Sequence, residues 1–138
     1  MNIDHCLDYL KSIGADKEEH THCTLYDHLY ETYNLLVAES AEEHVCLAGL
    51  FHSVYGNDIW EVTMVTLEER SKVKQLIGDR AERLVWLFNG IGNRFKFYDQ
   101  YGSEYKKVWG EDVYVSPEEE LELLTIFEVN ATEQGDRK

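Results

Sequence analysis

Recurring helix-start signals constrain the fold of this chain more than any other feature of its sequence. Four motifs pair a Ser, Thr or Asp with a Glu three residues later: SAEE at 40–43, TLEE at 66–69, DRAE at 79–82 and SPEE at 116–119. Such a pair satisfies backbone N–H groups that a helix leaves free where it begins. Together with the amphipathic segment 3–13 and a helix capped by Thr24, the motifs predict about six helices.

Residues that tolerate a left-handed backbone follow several of these segments and predict where the helices end. Gly14 and Gly78 follow two of them, and the pairs Gly56–Asn57 and Asn89–Gly90 follow two others. Glycine at this position is a common helix terminator because it adopts positive φ without a steric penalty. The helix that begins after SAEE is therefore expected to continue as far as Gly56.

The aromatic-rich segment 94–115 interrupts the helical pattern. Its aromatic residues have no regular helical spacing, which indicates a long loop that contains a short helix or a hairpin. The predicted fold is an all-α helical bundle with this loop before the last helix. One domain is expected over residues 1–134, followed by a flexible tail at 135–138.

Composition excludes several classes of partner. The net charge of −14 repels nucleic acids and anionic lipid surfaces, so neither is an expected partner. No apolar run is long enough to span a membrane, and the first residues lack the pattern of a signal peptide. The three cysteines, Cys6, Cys23 and Cys46, form no CxxC motif. Reduced thiols and a cytoplasmic location are therefore expected.

The stretch CLAGLFHSVYG at 46–56 places an imidazole, His52, in an otherwise apolar segment. A helix that is apolar all round is buried, and a buried imidazole without a partner costs about 1–3 kcal/mol. His28 is the candidate partner, because it lies early in the preceding helix. Two antiparallel helices joined by a short turn bring these positions together. His22, just before that helix, can fold back over the same site.

The order of these histidines resembles the HD-domain phosphohydrolase superfamily, and above all the alarmone hydrolase domain of RelA/SpoT type. The segments that carry the resemblance are HLYETYNLL, AGLFHS and IGDRAERLV. The chain is also similar to a small HD-like family that carries AGLFHSVYGT. The resemblance implies a divalent metal ion (Mn, Fe, Zn or Ni) held by His22, His28, His52 and Asn130. It also implies hydrolysis of a phosphoester or pyrophosphate bond in a small nucleotide-like molecule.

The chain departs from that family pattern at its acidic positions. Ser53 stands where the family has the Asp of its His-Asp pair, and Asn130 stands at the late acidic position. No carboxylate is therefore expected among the direct ligands, which weakens binding of a hard cation. Ser53 and Tyr55 are candidate catalytic residues, because their hydroxyl groups lie beside the second histidine.

Other interpretations of these residues stay open. The histidines, Ser53 and Asn130 could form a hydrogen-bond network left from an ancestral metal site. In that case the protein would be a catalytically degenerate HD-like protein that binds a small ligand or a protein partner. The aromatic segment could form a homodimer face. Surface positions are expected for four further residues, Arg70, His5, His20 and His44.

Overall fold

A computed structural model describes residues 3–18, 23–56 and 64–136 of the chain. Within those ranges the protein is mostly helical. The helices are α1 Ile3–Ser12, α2 Leu25–Ala38, α3 Glu43–Leu50, α4 Arg70–Ile77, α5 Asp79–Ile91, α6 Arg94–Asp99 and α7 Pro117–Asp136. A 3₁₀ turn, Leu67–Glu69, leads into α4, and two strands, β1 Tyr105–Val108 and β2 Glu111–Tyr114, lie between α6 and α7.

The hairpin corrects the prediction of an all-α fold. β1 and β2 pair antiparallel, with Tyr105 opposite Tyr114 and Val108 opposite Glu111. Side chains alternate along β1, so that Lys106 and Val108 are buried while their neighbours are exposed. This alternation with a period of two extends over only the four residues of β1, and the aromatic residues around it obscure it in the sequence. The hairpin and α6 lie in the segment 94–115, for which the sequence predicts a long loop with a short helix or a hairpin.

Two predicted helix caps are present. The Thr24 hydroxyl accepts a hydrogen bond from the Asp27 N–H at 3.1 Å. Ser116 and Glu119 form the reciprocal box before α7: the Glu119 N–H donates to the Ser116 hydroxyl, and the Ser116 N–H donates to the Glu119 carboxylate, both at 3.1 Å. Pro117 is the first residue of that helix, as predicted.

Three other predicted caps are wrong, and the first of them is Thr66, whose side chain makes no capping hydrogen bond before the 3₁₀ turn. Ser40 has a φ of 61°, and α3 begins at Glu43 with Glu42 before it and no side-chain cap. α5 begins at Asp79 after Gly78, and Glu82 is buried rather than capping. In the last two cases the helix takes its position from tertiary packing, which outweighs a local hydrogen bond of about 1 kcal/mol.

The predicted helix ends are partly wrong as well. α5 continues through Asn89 and Gly90 to Ile91 and ends at Gly92, where φ is 105°. Asn89 is buried inside the helix, so its polar side chain serves a contact rather than a stop. α3 ends at Leu50, well before Gly56, and residues 51–55 form turns.

The core is built around α3, which is buried on every side from Val45 to Leu50. α2 packs against one side of α3 and α5 against another, and α7 lies against α2. Gly49 lets the α2 and α3 backbones approach closely, because a Cβ at this position would collide with the Leu36 side chain. None of the helices among the described residues combines the length and the hydropathy that crossing a bilayer demands.

Candidate metal centre

His28 and His52 meet in the interior of the protein. Each of the two residues exposes only 1% of its surface to solvent. Their Nε2 atoms are 3.1 Å apart, and the two rings lie edge to face with centroids separated by 4.9 Å. The structure thus brings together two imidazoles that are 24 positions apart in sequence.

The two histidines are carried by different kinds of backbone. His28 lies in the first turns of α2, whereas His52 lies beyond the last residue of α3, in the turns 51–55. The prediction that His52 is in the middle of a helix is therefore wrong. The turn points the imidazole toward α2 and is buried throughout, so the ring still faces the interior.

Each imidazole has a fixed acceptor on its Nδ1 side. His28 Nδ1 is bonded to the Glu133 carboxylate, and His52 Nδ1 lies 2.7 Å from the Gly49 carbonyl oxygen. Because an acceptor oxygen faces each Nδ1, we assign the hydrogen of each neutral ring to Nδ1. The two Nε2 atoms then lie 3.1 Å apart, a distance at which they can share a proton or bind one cation that lies beside the line joining them.

The residue that sequence reasoning missed is Glu133. It lies in α7, is 3% exposed, and holds His28 from behind. A signal for it exists in the sequence, because Glu133 follows Ile126 and Val129 at helical spacing and so falls on the buried face of α7. Carboxylate–histidine pairs of this kind orient metal-binding imidazoles and make them more basic.

Asn130 lies in α7, the helix whose Glu133 contacts His28. It is one helical turn from Glu133 in one direction and from Phe127 in the other. Phe127 stacks on Phe88 with centroids 4.1 Å apart, and the Phe88 ring meets the His52 ring edge-on at 5.2 Å. The buried Asn130 Oδ1 atom has no hydrogen-bond partner among the described residues. A buried amide oxygen in this state is suited to accept from a ligand or to coordinate a cation.

Three further residues are predicted for this site, namely Ser53, Tyr55 and His22. Ser53 is buried immediately after His52, but its hydroxyl takes no part in the hydrogen bonds that join the described residues of this site. Tyr55 is also buried, and its hydroxyl donates to Glu82 at 2.7 Å. His22, a predicted ligand, lies outside the described residues, as does His20.

Tyr55 belongs to a buried network centred on Glu82, whose side chain is fully buried. Arg70 donates to both oxygens of that carboxylate, from Nε at 2.7 Å and from Nη2 at 2.8 Å. The Arg70 guanidinium also lies 4.8 Å from the centre of the Trp86 ring. The expectation of a solvated position for Arg70 is therefore wrong. Burial and the bond to Glu82 raise the pKa of the Tyr55 hydroxyl.

A second cluster corrects the surface assignment of His44. Its Nε2 lies 2.6 Å from Glu122, its Nδ1 lies 3.4 Å from Glu42, and its side chain is only 13% exposed. These three residues are a group of potential metal ligands within 4.8 Å of one another. However, Arg80 lies 3.5 Å from Glu122 and competes with any cation there. The cluster is best described as an ion pair between α3 and α7.

The histidine pair, in contrast, has the spacing of two ligands on one ion. Imidazole nitrogens bind zinc at about 2.1 Å, so two of them on one ion lie about 3.0–3.4 Å apart in octahedral or tetrahedral geometry. The observed separation of 3.1 Å falls in that range. Nitrogen and amide oxygen donors suit Mn, Fe, Zn or Ni. The distance between the two Nε2 atoms is therefore compatible with two ligands of one transition-metal ion.

Comparison with known proteins gives one match. No curated protein and no solved structure matches the chain. The model of the family described as a domain of unknown function, DUF6817, matches residues 9–93, a range that contains both histidines but ends before α7. Because this range is more than half of the 138 residues, the chain belongs to the DUF6817 family.

Proposed function

We propose that this protein binds one divalent transition-metal ion between His28 and His52 and hydrolyses a phosphoester or pyrophosphate bond in a small nucleotide-like molecule. The observation that carries the proposal is the opposition of two Nε2 atoms at 3.1 Å, each on a ring whose Nδ1 already faces an acceptor. The HD-like character of the bundle belongs to the same proposal and comes from the motifs around His28 and His52.

The proposed ligands are His28 Nε2, His52 Nε2 and Asn130 Oδ1, with His22 as a further candidate. Asn130 qualifies because its oxygen is buried without a partner, which a bound cation would correct. Such an ion supplies Lewis-acid polarisation of a phosphoryl oxygen when it is bound. Mn, Fe, Zn and Ni are the candidates, because imidazole and amide donors suit them better than they suit magnesium or calcium.

The residues around the ligands have supporting roles in this proposal. Glu133 fixes the His28 ring and holds a negative charge next to the site. Ser53 keeps its proposed place beside the substrate. Tyr55 reaches a phosphate only if its hydroxyl leaves Glu82, so the contacts favour the packing role that the sequence left open.

A second candidate is a catalytically degenerate HD-like protein that binds a small ligand or a protein partner. The observation that favours it is the same Glu133 contact, because the carboxylate can balance a positive His28 ring. In that state a proton on His28 Nε2 would bond to His52 Nε2, and no metal ion would be needed. The two candidates therefore differ in what lies between the rings.

Metal analysis separates the two candidates. Protein purified without chelator should contain about one Mn, Fe, Zn or Ni ion per chain, and its melting temperature should rise when the ion is added. The His52→Ala variant should lose the ion, whereas His44→Ala, which alters the other histidine cluster, should keep it. A phosphate-release assay over a panel of nucleotides then tests turnover. Metal-free protein whose melting temperature no added ion changes would overturn the proposal and support the proton-sharing network.

The proposal also covers location and assembly. Cys6 and Cys46 are buried thiols, which agrees with a reducing cytoplasm as the proposed location. Large aromatic side chains between α6 and β2 are exposed and form the proposed homodimer face: Phe95, Tyr98, Tyr101, Tyr105 and Tyr114. Light scattering at micromolar concentration would reject this face if the protein had the mass of a single chain.

A further inference from the structure

The backbone that carries His52 receives little support from its own helix. α3 ends at Leu50, so His52 lies in a turn rather than in a hydrogen-bonded helical segment. The His52 N–H reaches back to the Gly49 carbonyl at 3.4 Å, longer than the usual distance of about 2.9–3.0 Å. Apart from this bond and the 2.7 Å contact between His52 Nδ1 and the same Gly49 carbonyl, the position of His52 depends on contacts from other parts of the protein.

Asn89 supplies such a contact from α5. Its side-chain Nδ2 donates to the His52 carbonyl oxygen, and also to the Val85 carbonyl one turn earlier in α5 at 2.8 Å. Because both partners are carbonyl oxygens, only the nitrogen side of the amide can face them. The orientation of Asn89 is thus determined by its neighbours, and the amide joins the His52 turn directly to the α5 backbone.

The same orientation leaves Asn89 Oδ1 buried without a hydrogen-bond partner. The residue is 2% exposed and lies among the apolar positions of α5. A buried acceptor without a partner destabilises a folded protein. Asparagine is also a weaker helix former than leucine or methionine. Helix propensity and burial therefore do not explain an asparagine at position 89. Its hydrogen bond to the His52 carbonyl does explain it.

We infer that Asn89 is a positioning residue for His52, which it holds at the distance from His28 that one metal ion requires; this inference rests on the proposed metal site. Phe88, the preceding residue of α5, packs edge-on against the His52 ring at 5.2 Å. Two consecutive residues of α5 thus fix the turn and the ring that it carries. Asn89 bonds to the backbone of His52 and Phe88 packs on its ring, so both act through His52.

The test compares the wild-type protein with Asn89→Leu, a substitution of similar size that cannot donate to a carbonyl oxygen. Co²⁺ titration reports affinity, and the visible spectrum of bound Co²⁺ reports the geometry of its ligands. We expect the dissociation constant for Co²⁺ to rise about tenfold, as for other residues that orient a metal ligand, together with a changed spectrum. Val73→Ala, which removes buried volume from α4, is the control and should leave both unchanged.

Metal-free protein gives an independent measurement. Long-range ¹⁵N–¹H spectra of the His52 ring should show one Nδ1–H tautomer in the wild type and an average of tautomers in Asn89→Leu. If the wild type binds no Co²⁺, the proposed metal site fails, and the ring spectra still test the positioning role. Unchanged ring spectra and an unchanged Co²⁺ spectrum in Asn89→Leu would overturn it. Asn89→Ser, whose hydroxyl can reach Val85 but not His52, replaces Asn89→Leu if that variant does not fold.

Discussion

Glu133 and His28 form a buried hydrogen-bonded pair that joins positions 105 residues apart in the sequence. Their side chains are 4% and 1% exposed. The contact ties the C-terminal part of α7 to the first turns of α2, and it determines which nitrogen of His28 faces His52. The site therefore includes a residue of the last helix, which lies outside the segment that matches the family.

The first prediction concerns Glu133→Gln. The amide keeps a hydrogen-bond acceptor for His28 Nδ1 but loses the charge, so the imidazole becomes a weaker metal ligand. We expect the affinity for Zn²⁺ to fall about tenfold, measured by competition with a chromophoric chelator. Glu128→Gln makes the same change at an exposed position of α7 and should have no effect. Equal affinities in all three proteins would contradict the role given to Glu133.

The second prediction concerns Arg70→Met. Arg70 makes two hydrogen bonds to the fully buried Glu82 carboxylate, and its removal leaves a buried charge with Tyr55 as its one donor among the described residues. We expect the free energy of unfolding to fall by about 3 kcal/mol, measured by urea denaturation.

Arg80→Met is the matched control for that change. Arg80 pairs with Glu118 at 2.6 Å, but both side chains are more than half exposed. Exposed ion pairs contribute about 0–1 kcal/mol. A loss at Arg70 no larger than the loss at Arg80 would show that the Glu82 carboxylate is solvated or protonated in the folded protein.

The third prediction concerns stability at alkaline pH. The raised pKa of Tyr55 means that the folded protein keeps this proton above about pH 10, where an unfolded tyrosine loses it. The unfolded state then binds fewer protons, so the stabilisation is complete below about pH 10 and is lost as the pH rises further. In the Tyr55→Phe variant, the decrease of the free energy of unfolding with rising pH should be smaller by up to about 1.4 kcal/mol per pH unit.

Urea denaturation at several pH values above neutrality measures that slope. Burial also raises the pKa values of Tyr9, Tyr26 and Tyr33, which contribute equally to both proteins. Tyr105→Phe removes an exposed hydroxyl and serves as the control. Identical slopes in the wild type and Tyr55→Phe would mean that the hydroxyl ionises in the folded state as easily as in the unfolded one.

The sequence predicts local hydrogen bonding better than it predicts long-range contacts. The caps at Thr24 and Ser116 depend on residues within three positions of each other, and both are present. The Ser40 motif has the same form but gives no cap, because α3 is positioned by burial on every side. The exposed Thr66 motif also gives no side-chain cap, so a capping motif alone does not determine whether the hydrogen bond forms.

The candidate site shows the same limit. The meeting of His28 and His52 follows from two neighbouring helices and a short connection, which the spacing in sequence can indicate. Glu133 and Glu82 required knowledge of which faces of α7 and α5 are buried, and their acidic side chains instead suggested a surface position or a cap. Asn89 preceded a glycine and was expected to end a helix, although tertiary contacts keep it inside α5.

The last prediction concerns Gly90→Ala, since Gly90 was expected to stop α5 and instead lies beneath the hairpin. A Cβ at Gly90 would lie 2.5 Å from both Trp109 and Val108. Alanine improves helix propensity by about 1 kcal/mol, but overpacking costs about 1–3 kcal/mol. We expect a net loss of about 1 kcal/mol in urea denaturation and a changed tryptophan fluorescence, whereas Ser71→Ala on the exposed face of α4 should not destabilise the protein. A more stable Gly90→Ala variant would mean that the hairpin does not press on α5.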